Sequence, residues 1–169
     1  MSGKLVQVDT DTISSAINFI DLVGITTDDV YLLTFNNVNT SADCSILFRF
    51  LVSSSPDSSA NYDSAMKNIR GDGSYTDTGN RQNITSINIG SIGTGTQEQS
   101  NGIIHIYNAN ESNEYSFMTC ELTTRNNDSH LRGFQGGGVL TVAQATNGIR
   151  LVNNSGNFTS GTFTLYKVL

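Results

Sequence analysis

The sequence predicts an all-β protein: a two-sheet antiparallel β-sandwich, jelly-roll-like, with about nine or ten strands and at most one short helix. Three observations lead there. Apolar residues recur at every second position in several segments, the period of a strand with one buried face. Clusters of Gly, Asn and Ser separate those segments, as turns between strands require. Charged residues make up only 14% of the chain, while 8 Phe and 6 Tyr accompany Ile, Leu and Val spread throughout, so a core can form beneath a neutral, hydrogen-bonding exterior. With 169 residues and no internal repeat or linker, the chain reads as a single β-sandwich domain, 1–169.

Short strands are expected near Lys4–Val8 and Ile13–Leu22. Tyr31, Leu33 and Phe35 then alternate, and Cys44–Val52 places Ile46, Phe48, Phe50 and Val52 on one side with Leu47, Arg49 and Leu51 on the other. Being apolar on most of both faces, Cys44–Val52 is the best candidate for a central strand. The intervening Asn36–Asp43 has turn chemistry, so the two strands read as a long hairpin. Further strands are expected at Ile84–Ile89, Gly102–Tyr107, Tyr115–Thr124, Val139–Ala143, Gly148–Val152 and Gly161–Val168. Turn clusters at Gly90–Asn101, Asn108–Asn113, Asn126–Ser129, Gly136–Gly138 and Asn153–Ser160 bound them. The one helical candidate is Asn61–Ile69, where Ala65, Met66 and Ile69 fall at helical spacing after Pro56, and a one-turn connector fits it equally. Phe163, Leu165 and Leu169 are expected in a terminal strand locked inside the sheet.

Composition excludes several functions. A net charge of −6 and a pI near 4.6, with nine scattered basic residues, leave no Lys/Arg cluster to hold phosphates, so no nucleic-acid partner is expected. The closest basic pair is Lys67 with Arg70, and Arg49 stands alone in an apolar run. No apolar stretch approaches the ~18 residues of a membrane span, and Met1-Ser2-Gly3-Lys4 lacks the apolar block of a signal peptide, so cytoplasmic synthesis without membrane insertion is expected. In that compartment Cys44 and Cys120 are expected as reduced, half-buried thiols. Six Asn-x-Ser/Thr triplets, at Asn39, Asn83, Asn110, Asn127, Asn153 and Asn157, follow from composition and imply no glycosylation.

The sequence holds no catalytic constellation of a common kind. His105 and His130 have neither metal nor protease spacing, and His105 follows Ile103-Ile104 in an expected strand, where a lone His is ordinarily structural. Acids occur as Asp9 with Asp11, Asp28 with Asp29, and Glu111 with Glu114 and Glu121, in or beside loops. Paired acids can hydrolyse glycosides only when they face each other across a cleft, and the absence of Trp weakens a sugar-cleft reading, though Tyr can substitute. Asp9-Thr10-Asp11 lacks the Gly and distal Glu of a calcium loop. Gly90–Gly95 and Gly133–Gly138 lack the Lys-Ser/Thr of a phosphate cradle and read as hairpin tips. Arg70-Gly71-Asp72 resembles an adhesion tripeptide but reads more simply as a turn with Gly73-Ser74. No catalytic, cofactor-binding or metal-binding residue is expected, and no enzyme activity.

Tyr31-Leu-Leu-Thr-Phe-Asn-Asn-Val38, Ile46-Leu-Phe-Arg-Phe50, Asn61-Tyr-Asp-Ser-Ala65, Tyr115-Ser-Phe117 and Gly161-Thr-Phe-Thr-Leu-Tyr166, in that order, resemble a β-sandwich module of marine and environmental tailed bacteriophages. The resemblance runs from Asp28 to the C-terminus and rests on short motifs. It implies a virion structural protein, either a capsid decoration (cement) protein or the distal domain of a tail or head fibre, and carries over no site residue. Fibre modules hang from long shafts, whereas only about two dozen residues precede the first matching strand here, which favours a stand-alone decoration subunit over a fibre tip. On that reading the partners are other virion proteins of a capsid or tail lattice and further copies of the chain, with a trimer the expected state, and the location is the virion. In the fibre alternative, the long loops Ser53–Asn83 and Gly90–Gly102 contact host surface glycans. A small hydrolase on the same scaffold ranks last.

Overall fold

The computed structural model describes residues 3–77, 81–125 and 130–169. The expected Asn126–Ser129 turn and the triplet at Asn127 lie outside them. Within the described residues the chain is all-β: two antiparallel sheets packed face to face as a β-sandwich, with fourteen strands instead of the nine or ten expected, because β5, β7 and β8, of two to four residues, are too short to show an alternation in the sequence. The larger sheet runs, in spatial order, β1 (Leu5–Thr12), β14 (Phe158–Val168), β3 (Tyr31–Thr40), β10 (Ser100–Tyr107), β11 (Ser116–Arg125), β12 (Leu131–Leu140), β6 (Tyr62–Arg70) and β7 (Tyr75–Asp77), with β8 (Arg81–Ile84) also on β6. The smaller runs β2 (Phe19–Val23), β13 (Gly148–Asn153), β4 (Cys44–Val52) and β5 (Ser55–Pro56), with β9 (Ile87–Ile92) also on β4.

Alternation builds the core between them. Ile46, Phe48 and Phe50 project from β4 toward Leu33, Phe35, Ile104, Ile106, Met118 and Leu165 of the large sheet, all at most 2% exposed. The Phe48 and Phe50 rings meet edge to face at 5.0 Å, and Phe50 lies parallel to Tyr62 of the opposite sheet at 6.5 Å. The Tyr62 hydroxyl accepts from the Phe50 N–H (3.0 Å) and donates to the Asp57 carbonyl (3.1 Å). A buried phenol thus meets the backbone of β4 beside β5, a strand of only two residues whose Pro56 has no N–H to offer. Burial pushes the Tyr62 pKa well up, so the hydroxyl stays protonated and can donate.

Several sequence expectations give way. Residues 31–35 and 44–52 are strands but not a hairpin: β3 sits in the large sheet between β14 and β10, and β4 in the small one. Both strands carry a full apolar face, and placing them in opposite sheets buries both faces at once. Residues 36–40 continue β3 instead of turning. Asn37, at φ 54°, lets Phe35 and Val38 both point inward, and the register with both neighbours shifts there, as at a β-bulge. The helical candidate is strand β6. Tyr62, Ser64, Met66 and Asn68 are buried with period two, and the polar Ser64 and Asn68 hid that period in the sequence. Of residues 53–83, expected as a long loop, 78–80 lie outside the described residues and the rest hold β5 to β7 and the start of β8, while the 90–102 segment narrows to a loop between β9 and β10. The strand expected at 84–89 divides into β8 and β9. Leu169 lies just past β14 and is 58% exposed, although Phe163 and Leu165 are fully buried as expected.

The glycine segment 133–138 is not a hairpin tip but the middle of β12, paired residue by residue with β11 and β6. Crowding explains the glycines. A Cβ at Gly136 would run into the Ala65 carbonyl oxygen and approach Met66 Cα at 2.8 Å, and one at Gly138 would strike Ile87 of the small sheet. At Gly133 the nearest atom is 3.9 Å away.

Two predictions test this arrangement. Phe48→Ala or Phe50→Ala should lower unfolding free energy by about 3–5 kcal/mol in denaturant titration, and a loss below about 1 kcal/mol would remove them from the core. Gly136→Ala should destabilise by at least ~1–3 kcal/mol, whereas Gly133→Ala should be neutral or stabilise by up to ~1 kcal/mol.

Candidate functional site

The outer face of the large sheet carries a concavity built on β12. Along β12, residues 133, 135, 137 and 139 point outward, and two of them are glycines without side chains. Gly137 lies in register between Thr119 of β11 and Ala65 of β6, a row of small residues. Taller rows flank it, Phe117–Val139–Asp63 on one side and Glu121–Gln135–Lys67 on the other. The result is a hollow of about 800 Å³ lined by Asp63, Ala65, Arg81, Gln82, Phe117 and Val139 around the Gly137–Gly138 floor. A second hollow of about 470 Å³, lined by His105, Thr119, Glu121 and Gln135 among others, adjoins it through Thr119. Phe117 is 44% exposed, the His105 ring stacks on Tyr107 at 6.4 Å, and Glu121 Oε1 accepts from Gln135 Nε2 at 3.0 Å.

The small sheet presents a different outer face. Phe19, Val152 and Leu47 form one cross-strand row, with Asp21, Arg150 and Arg49 in the next. Arg150 grips Asp21 with two bonds of 2.6 Å, and its guanidinium lies 3.8 Å from the Phe19 ring centroid. Arg49 Nε donates to the Thr85 carbonyl at 3.0 Å. Phe19 and Val23 remain more than a third exposed.

No protein-family model and no curated protein matches the chain.

Several of the remaining sequence candidates are held in structural contacts. Asp9 accepts from the N–H groups of Thr10 (2.9 Å) and Val23 (2.8 Å), tying β1 to β2. Asp29 pairs with Lys167 at 2.6 Å, and the hydrogen bond from that ammonium holds its carboxyl below the usual range. Glu111 accepts from Asn113 and Glu114 from Asn108 within one loop. Glu121 borders the second hollow, and among the described residues no group of three or more His, Cys, Asp or Glu could hold a metal ion. His130 lies 3.9 Å from Asp72. In Arg70-Gly71-Asp72 the two charged ends engage each other at 3.2 Å, while Asp72 accepts from the backbone and hydroxyl of Ser74, so the tripeptide is a turn. Sequence reasoning missed the Gly137 hollow because its walls come from four strands. The signal that could have found it was the alternation of glycine with Gln135 and Val139 along one face of 133–139.

Cys44 and Cys120 are free thiols, both buried instead of half-buried. Burial pushes the Cys120 thiol up to about 12, and the neighbouring Glu121 charge adds to the effect. Burial also raises Cys44. A thiol with a raised pKa holds little thiolate at neutral pH. Ellman's reagent at pH 8 should therefore find Cys120 silent in the native protein and both thiols in denaturant; rapid native labelling of Cys120 would contradict its placement.

Proposed function

We propose that the chain is a non-enzymatic structural protein of a tailed-phage virion, a capsid decoration protein that attaches to the particle through the outer face of its small sheet. The motif resemblance described above motivates the class. The observation that carries the attachment surface is the apolar row Phe19–Val152–Leu47, with exposed Val23 on the far side of the Asp21–Arg150 pair, so that apolar side chains flank the ion pair on the same face. Apolar side chains left together on a rigid sheet, bordered by a preorganised ion pair, are what a protein partner can bury. The protomer is proposed to attach as a homo-oligomer, a trimer, because repeated contacts on a symmetric lattice sum by avidity. Ile69 and Tyr75, paired across β6 and β7, with neighbouring Leu131, are each at least half exposed and offer a self-association surface.

The test is addition of purified protein to particles that lack it, followed by co-sedimentation. The wild type should bind saturably, and a Phe19→Asp, Val23→Asp double variant should bind at least about tenfold more weakly with unchanged melting temperature. Failure of the wild type to join particles would overturn the proposal, and binding to host cells instead would point to a receptor-binding fibre module. Analytical ultracentrifugation should give a trimer, and a stable monomer at micromolar concentration would end that part of the reading.

A further inference from the structure

We propose that the outer face of the large sheet binds a neutral glycan chain, seated in the Gly137 hollow and continuing over Thr119 toward His105 and Glu121. This goes beyond attachment to a particle, which uses the opposite face of the sandwich.

The shape suits a small set of linked rings. The main hollow, at about 800 Å³, lies within the ~300–1,000 Å³ span of ligand sites. The second hollow adjoins it across Thr119, which lines both, so a ligand longer than one ring can reach from the Gly137 floor across β11 to His105 of β10. Both glycans and peptides could enter such a track, but the backbone distinguishes them. β12 is hydrogen-bonded on both sides along its length, so its floor offers no free strand edge for a peptide to extend. A ligand here must be held by side chains and must bring its own donors and acceptors.

The side chains supply the pairing a sugar needs. The exposed Phe117 ring gives an apolar platform for the C–H face of a pyranose, and across the floor Arg81 and Gln82 offer a guanidinium and an amide to its hydroxyls, beside Asp63, whose Oδ1 accepts from the Asn83 N–H at 2.9 Å and whose second oxygen can accept from the ligand. The second hollow repeats the combination, with His105 stacked on Tyr107 on one side and the bonded Glu121–Gln135 pair on the other. Charge then selects among polymers. Asp63 and Arg81 balance each other in the first hollow, and Glu121 and Lys67 flank Gln135 beside the second. A track without net charge gives a polyanion no counterion-release advantage, which favours a neutral chain over nucleic acid or acidic polysaccharide.

Isothermal titration of the purified chain with neutral linear oligosaccharides tests the proposal, using β-1,4-linked glucose, mannose and N-acetylglucosamine series and an α-1,4-linked glucose series. At least one series should bind with a Kd of about 1 mM or tighter. Phe117→Ala, which removes the platform, and Ala65→Phe, which fills the hollow from an exposed position, should each weaken it about tenfold or more. Neither touches the core, so melting temperatures should hold. Absence of binding across all four series would overturn the proposal, as would undiminished binding in both variants. So would a native oligomer that Ala65→Phe dissociates, because the Gly137 hollow itself, and not only the Ile69–Tyr75 end of that face, would then be a contact between copies. Loss of sugar binding with particle binding intact, or the reverse in the Phe19, Val23 variant, separates this proposal from the attachment reading.

Discussion

Burial of β4 against the inner face of the large sheet is the contact on which the remaining architecture rests. Phe48 and Phe50 are fully buried there, and Tyr62 reaches across from β6 to hydrogen-bond the Phe50 amide. Loss of that contact would expose the apolar faces of both sheets together, since β4 also carries β9 and β13 in the small sheet. The crossing also fixes the chain path. Residues 41–43 carry the backbone from β3 in one sheet to β4 in the other, and consecutive strands become layers of the core instead of neighbours in a ladder.

The same packing requirement produces the principal surface feature. Gly136 and Gly138 face inward, where Met66 and Ile87 leave no room for a Cβ, and the strands on either side of β12 draw close. Gly137 faces outward, but a Cβ there would lie 2.8 Å from the Met118 carbonyl oxygen, so glycine is required sterically on that face too. A run of glycines demanded by close approach thus leaves a gap in the outer row of side chains, and Phe117, Asp63 and Arg81 border it. The hollow has a structural cause whether or not a ligand fills it, and what gives it chemical meaning is the side chains around it.

Most acids serve the fold. Asp9 joins β1 to β2, Asp29 fixes Lys167, and Asp72 closes the β6–β7 turn. Asp57 accepts from Ser59 and from Gln144, and although partial burial pushes its pKa up, those hydrogen bonds win and keep it lowered. A carboxylate held this way stabilises the fold above its unfolded pKa and gives that contribution up as pH falls through the lower, folded value. The acidic composition is therefore largely a set of loop and edge fasteners, with β1 further guarded by the register shift between Gln7 and Asp9 that irregularises an edge strand.

Taken alone, the sequence determined the class of fold, the buried alternation of β4, the inward Phe163 and Leu165 of β14, and the absence of basic clustering. Each follows from side chains at neighbouring positions along one strand, because the two-residue pleat period is a local property of the backbone. The tertiary structure alone decided that β3 and β4 part company, that 62–70 is a strand despite its helical spacing, that the glycines of β12 lie mid-sheet, and that Phe117 meets Asp63 across Val139. These are matters of which strand lies beside which. That choice is made by burying two apolar faces against each other, and it joins residues that the order of the chain keeps far apart.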